Sequence, residues 1–145
     1  MNPRYHVAVS FAISSTVYVF LNSLSAAMAS FLAGVFIDLD HYLDFVLQYR
    51  SLNIKKFFGV FMPYPLIAKS YLFLHSFELL IVFWFIVYKF GLGLFWMGLV
   101  IGMTQHLIFD QLHNKYIRPY FYFITTRYLS GFKKERLFRA PNLGC

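Results

Sequence analysis

Four long apolar runs alternate with short polar breaks. The first is Val7–Leu21 and the second Leu24–Ile37, separated only by Asn22-Ser23, which predicts a tight helical hairpin. The third, Ile67–Tyr88, carries only His75, Ser76 and Glu78 as strongly polar interior groups. Lys89, Gly91 and Gly93 then predict a turn before the fourth run, Leu92–Leu112. The first two runs are shorter than the roughly 20 residues that cross a bilayer. The first can extend back through Tyr5 and His6, and the second forward through Asp38 to Tyr49. Between runs two and three, Arg50–Pro65 holds Arg50, Lys55, Lys56, Pro63 and Pro65. Its apolar but broken FFGVFMPYP segment predicts a loop or short helix in the membrane interface. From Asn114 the pattern becomes basic and aromatic, and IRPYFYFITTRYLSGF predicts a surface helix or hairpin. The expected fold is therefore all-α: a four-transmembrane-helix bundle over 1–113 with interfacial segments, and a basic tail over 114–145.

Composition supports lipid as the surrounding medium. The 145 residues are 59% hydrophobic and 13% charged, against about 25% charged in soluble domains. Nineteen Phe and eleven Tyr give more apolar surface than a soluble core of this size can bury. A second apolar run follows the first too closely for a cleaved signal peptide. The formal charge of +7 falls in the gaps between the runs. That placement suits anionic lipid headgroups, and no nucleic-acid partner is expected. Cys145 is the only cysteine, so neither an internal disulfide nor a cysteine metal site is available.

Basic residues orient the bundle. Arg4, the Arg50–Lys56 connection, Lys69 and the tail, including Lys115, share one side, which the positive-inside rule makes cytoplasmic. An even number of spans puts both termini there, as in a bacterial inner-membrane protein. On this topology the unusual polar residues converge on the cytoplasmic face. His6 heads helix 1; Asp38, Asp40, His41 and Asp44 end helix 2; His75 and Glu78 lie in helix 3; His106 and Asp110 end helix 4. Pairs spaced three or four apart share a helix face: Asp38/His41, His75/Glu78 and His106/Asp110. His113 lies one step further and is expected at the surface. Ionisable groups at membrane depth face a bundle interior or a cavity. Gly98 and Gly102 allow close helix approach.

Imidazole with carboxylate points to one or two divalent ions, zinc or manganese favoured. The expected metal ligands are His6, Asp38, His41, His75, His106 and Asp110. Glu78 and Asp40 are the candidate general bases. Lys69, Arg118 and Arg127 are the candidates for holding an anionic headgroup.

Four segments resemble the YdjM-like inner-membrane proteins, a family called membrane-bound metal-dependent hydrolases. GVFIDLDH (34–41) resembles its P-D-x-D-H motif and FLHSFELL (73–80) its T-H-S segment. GMTQHLIFDQL (102–112) resembles its G-x-x-x-H-x-x-x-D segment, and RYHVAVSF (4–11) places its N-terminal histidine. The resemblance implies the same six metal ligands and a hydrolase. Ile37 replaces the family's proline, and Ser70, Tyr71 and Leu72 replace its His-Arg-Gly. The functional expectation is hydrolysis of a lipid-like phosphoester at the cytoplasmic interface. The alternative is a non-catalytic, metal-stabilised scaffold or adaptor that binds anionic lipid or a partner protein. A homo-oligomer is compatible with either. Metal or proton transport ranks behind both, because the far halves of the helices are nearly bare of polar groups.

Overall fold

The structure of the protein, a computed structural model, describes residues 3–61, 69–114 and 116–139. Pro63, Pro65, Ile67, Lys115 and Cys145, singled out above, lie outside them. The helices are α1 (Pro3–Leu21), α2 (Leu24–Phe36), α3 (Leu39–Tyr49), α4 (Ile54–Phe61), α5 (Phe77–Lys89), α6 (Leu94–His113), α7 (Ile124–Leu129) and α8 (Lys134–Leu137). A 3-10 turn spans Pro119–Tyr122. Extended pairing among the described residues is limited to two isolated bridges, Lys69 with Lys133 and Ile117 with Phe138.

The hairpin at Asn22-Ser23 forms as expected. Asn22 takes a left-handed conformation, and Ser23 caps α2 by accepting from the Ala26 N–H at 3.3 Å. Helices α2 and α3 are almost continuous. At Ile37-Asp38 the hydrogen bonds tighten to three-residue spacing, with the Asp40 N–H on the Ile37 carbonyl and the His41 N–H on the Asp38 carbonyl. The stretch Leu24–Tyr49 is long and apolar enough to cross a membrane by length and composition. It is the one helical stretch among the described residues that is. Helix α6 is shorter than that stretch, 20 residues or about 30 Å against 26, and carries Gln105, His106 and Asp110.

Small residues set the packing of α2 on α6. A Cβ added at Gly98 would fall on the Ala26 backbone, and one at Gly102 on the Ser30 backbone. At the next step the His106 ring meets the Gly34 carbonyl. Both series rise together, so α2 and α6 run parallel and end at the same face. Helix α1 runs antiparallel to α6, with Ser10 bonded to Gln105 at 2.8 Å and His6 against Asp110. Helix α5 packs on α6, where the Trp84 indole donates to Thr104 at 3.0 Å. Gly98→Val is expected to lower stability by about 1–3 kcal/mol through overpacking. Gly59, also helical, meets no atom of the described residues within 4 Å of an added Cβ, so Gly59→Ala is expected to raise stability by up to about 1 kcal/mol. Thermal unfolding in mild detergent compares the two.

Polarity is arranged inside out. Ser10, Ser14, Ser30, Gln105, His6, His106 and Asp110 are buried, whereas Phe11, Val19, Phe20, Leu24, Met28, Ile81 and Phe85 are exposed. The tail belongs to the same core. Phe121, Tyr122 and Leu137 are buried together with Leu72, Leu80, Met103 and Leu107.

Helix α5 begins later than the run of apolar residues suggests. Ser76 caps it, accepting from the Leu79 N–H at 3.3 Å. The preceding residues 69–76 form a loop with no helix, so His75 lies outside the helix that carries Glu78.

Candidate metal centre

The parallel pairing of α2 and α6 brings Asp38 beside His106 and Asp110. The loop 69–76 brings His75 to the same point. One ligand atom from each of Asp38, His75, His106 and Asp110 falls within 4.8 Å of all the others. These four residues form a group, mostly buried, that could hold a metal ion. The His106 Nε2 is 3.3 Å from Asp38 Oδ1 and 3.7 Å from Asp110 Oδ2. The His75 Nε2 is 3.5 Å and 3.9 Å from the same two oxygens.

The other ring nitrogens orient both imidazoles. His106 Nδ1 lies 2.8 Å from the Gly34 carbonyl. A carbonyl only accepts, so Nδ1 carries the proton and donates. His75 Nδ1 lies 3.3 Å from Asp40 Oδ2, where a carboxylate likewise favours Nδ1–H. As neutral rings, both imidazoles would then turn their Nε2 lone pairs to the centre, and neither Nε2 has a hydrogen-bond partner among the described residues. An acceptor behind each histidine is the usual outer arrangement of a metal-binding imidazole.

Two of the six expected ligands flank this group. His6 stacks on His106 with ring centroids 4.2 Å apart, and its Nε2 lies 3.2 Å from Asp110 Oδ1. His41 is half-buried, with Nε2 3.6 Å from Asp38 Oδ1 and its ring 4.9 Å from that of His75. Access is lopsided: the Asp38 side chain is 34% exposed, while those of His75, His106 and Asp110 are almost fully enclosed. His113 is exposed and bonds the Phe109 carbonyl of its own helix, away from the group.

The proposed bases and cation contacts are placed differently from the expectation. Asp40 is buried, accepts the Leu74 N–H at 2.7 Å and faces His75 Nδ1. It therefore orients the His75 ring. Glu78 does not join the group. Its carboxylate accepts the Ile124 N–H at 2.8 Å and the Thr125 N–H at 3.1 Å, at the start of α7. Because His75 is not helical, the three-residue spacing to Glu78 gives no shared face. Lys69 is exposed, with its backbone tied to Gln48. Arg118 is also exposed, its guanidinium over the Tyr120 ring. Arg127 is fully buried and cannot meet a headgroup. Its Nη1 donates to the Tyr71 and Leu72 carbonyls and its Nη2 to the His75 carbonyl at 3.0 Å. Burial pulls its pKa below the ordinary arginine value, while the Asp40, Glu78 and Asp44 carboxylates oppose that shift.

The sequence reading missed how the His75 loop is held. Asp40, Asp44 and Gln48 recur every fourth residue on α3, a single helical stripe, and all three bond the loop. Asp44, expected only as a polar helix end, is buried and accepts the Tyr71 N–H at 2.8 Å. Within this grip Leu72 is 2% exposed and takes a positive φ of 40°, a backbone conformation leucine rarely adopts. No family model, curated protein or solved structure matches the chain.

Proposed function

We propose that the chain is a polytopic membrane protein with spans α1, α2–α3, α5 and α6, and a metal-dependent hydrolase of a lipid-like phosphoester at the cytoplasmic interface. The observation that carries the metal is the gathering of two Nε2 atoms with the Asp38 and Asp110 carboxylates, each histidine braced through Nδ1. Two imidazoles with two carboxylates suit zinc or manganese. One ion on the four grouped residues, with His6 and His41 flanking it, fits this donor set. The inside-out polarity supports the membrane assignment. The non-helical loop 69–76 also fits, since irregular backbone at membrane depth is tolerated where protein buries it. The four motif resemblances support the same reading.

A bound divalent ion supplies Lewis-acid polarisation of the ester and lowers the pKa of water. The residues do the remaining work. Asp38 is the open side of the group and admits the substrate. His41, half-buried beside Asp38, is the candidate for taking a proton. His75 and His106 are held rigid by Asp40 and Gly34. Of the three candidate cations, Lys69 and Arg118 are exposed and available to an anionic headgroup.

The deciving measurement is metal content of protein purified in mild detergent without chelator, followed by hydrolysis assays on lipid phosphoesters. Stoichiometric metal with turnover that chelator abolishes supports the enzyme. Metal without turnover turns the reading to a metal-stabilised scaffold. Folded protein that takes up no metal on reloading sinks both. Asp40→Asn, which keeps the shape but weakens the brace on His75, is expected to reduce metal affinity 10- to 100-fold, read by titration calorimetry.

A further inference from the structure

An apolar cavity of about 470 Å³ lies between α2, α5 and α6. Such a volume is within the ~300–1,000 Å³ of small-molecule sites. Ala33, Phe36, Ile37, Leu74, Leu79, Phe83, Leu99 and Met103 form its walls. Its rim is open, since Phe36, Leu74 and Leu79 are exposed large apolar residues.

Its position relative to the metal group gives it meaning. Ile37 precedes Asp38 and Leu74 precedes His75 in the chain. On α6, Leu99, Met103, His106 and Asp110 follow one another at spacings of four, three and four, which is one helical face. That face passes from hydrocarbon to metal-ligating groups over roughly 16 Å. An amphiphile placed along it meets apolar walls at one end and Asp38, the accessible member of the group, at the other. A wholly polar molecule would match only the Asp38 end, and a wholly apolar one only the walls.

We propose that this cavity binds one hydrocarbon chain of a lipid whose polar head lies at the Asp38 group. The proposal rests on the lipid-hydrolase reading and sharpens it: one chain leaves the bilayer and enters the protein between α2, α5 and α6. Head-proximal carbons lie near Leu74, Leu79 and Met103, and distal carbons near Phe83 and Leu99.

The test uses full-length protein in phosphatidylcholine nanodiscs containing a small fraction of phosphatidic acid with a photoactivatable diazirine on one acyl chain. Two probes carry the diazirine near the head or near the chain end. After illumination, crosslinked residues are mapped by mass spectrometry, and metal content is measured on the same preparation. The head-proximal probe is expected on Leu74, Leu79 and Met103 and the distal probe on Phe83 and Leu99. Filling the cavity by Ala33→Trp, or separately by Leu99→Trp, is expected to cut this labelling about tenfold while metal is retained. Labelling spread equally over the outer residues Phe11 and Val19, or the two probes in reversed order, overturns the proposal. If metal is present and cavity labelling is absent, the cavity assignment fails alone. If labelling is concentrated in the cavity but no metal binds, the chain site stands and the hydrolase reading falls.

Discussion

On the metal-binding proposal, protein carrying His106→Ala is expected to bind divalent metal more weakly than wild type, by more than the 10- to 100-fold typical of outer-partner changes. Of the four grouped residues, His106 has the least freedom to be replaced. Its Nε2 faces both Asp38 and Asp110, and His6 is stacked on its ring. Removing the imidazole deletes a donor, unpairs the Gly34 carbonyl and leaves His6 without its stacking partner. His113→Ala is the matched control, because that imidazole is exposed and bonded within its own turn. Metal analysis of the two variants beside wild type, each first shown to be helical, gives the answer. Equal metal in His106→Ala and wild type would remove His106 from the site.

Arg127→Ala is expected to produce the largest loss of stability. A buried guanidinium that donates to three carbonyls replaces water for all of them. Deleting it strips the Tyr71 and His75 carbonyls of this donor, at about 1–3 kcal/mol for each group, while the Leu72 carbonyl keeps the His75 N–H at 3.1 Å. A total of at least about 2 kcal/mol is expected, read as a lowered unfolding midpoint. Arg127→Lys keeps the charge, but one ammonium cannot reproduce the planar fork, so little of the loss should be recovered. Metal affinity should fall in parallel, since the same loop carries His75. A midpoint within error of wild type for Arg127→Ala would show that the loop holds itself.

The long helices were legible because local pattern decides them. The Asn22-Ser23 break, the Gly98/Gly102 spacing and the polar ends of the second and fourth runs each lead to an observed feature. Asp38, His75, His106 and Asp110 could be gathered on paper because basic residues alone set which helix ends share a face. What was illegible depends on partners far along the chain. Residues 69–76 read as helix because they are apolar, yet their backbone groups are taken by Asp40, Asp44 and Gln48 on one side and Arg127 on the other. Arg127 looked like one of many tail cations, and nothing local distinguishes a buried guanidinium from an exposed one. The four-residue recurrence of Asp40, Asp44 and Gln48 was the available signal. It marks a polar face on a helix that otherwise has every reason to hide an apolar one.

The clasp on the His75 loop also dictates an order of biogenesis. The Tyr71 carbonyl waits for a donor 56 residues downstream. Helices α1 to α6 are all synthesised before Arg127 emerges from the ribosome. A nascent or truncated chain that stops short of α7 can thus assemble its helices with the His75 loop held from the α3 side alone. The His75 corner of the group is then the last part to be clamped from both sides.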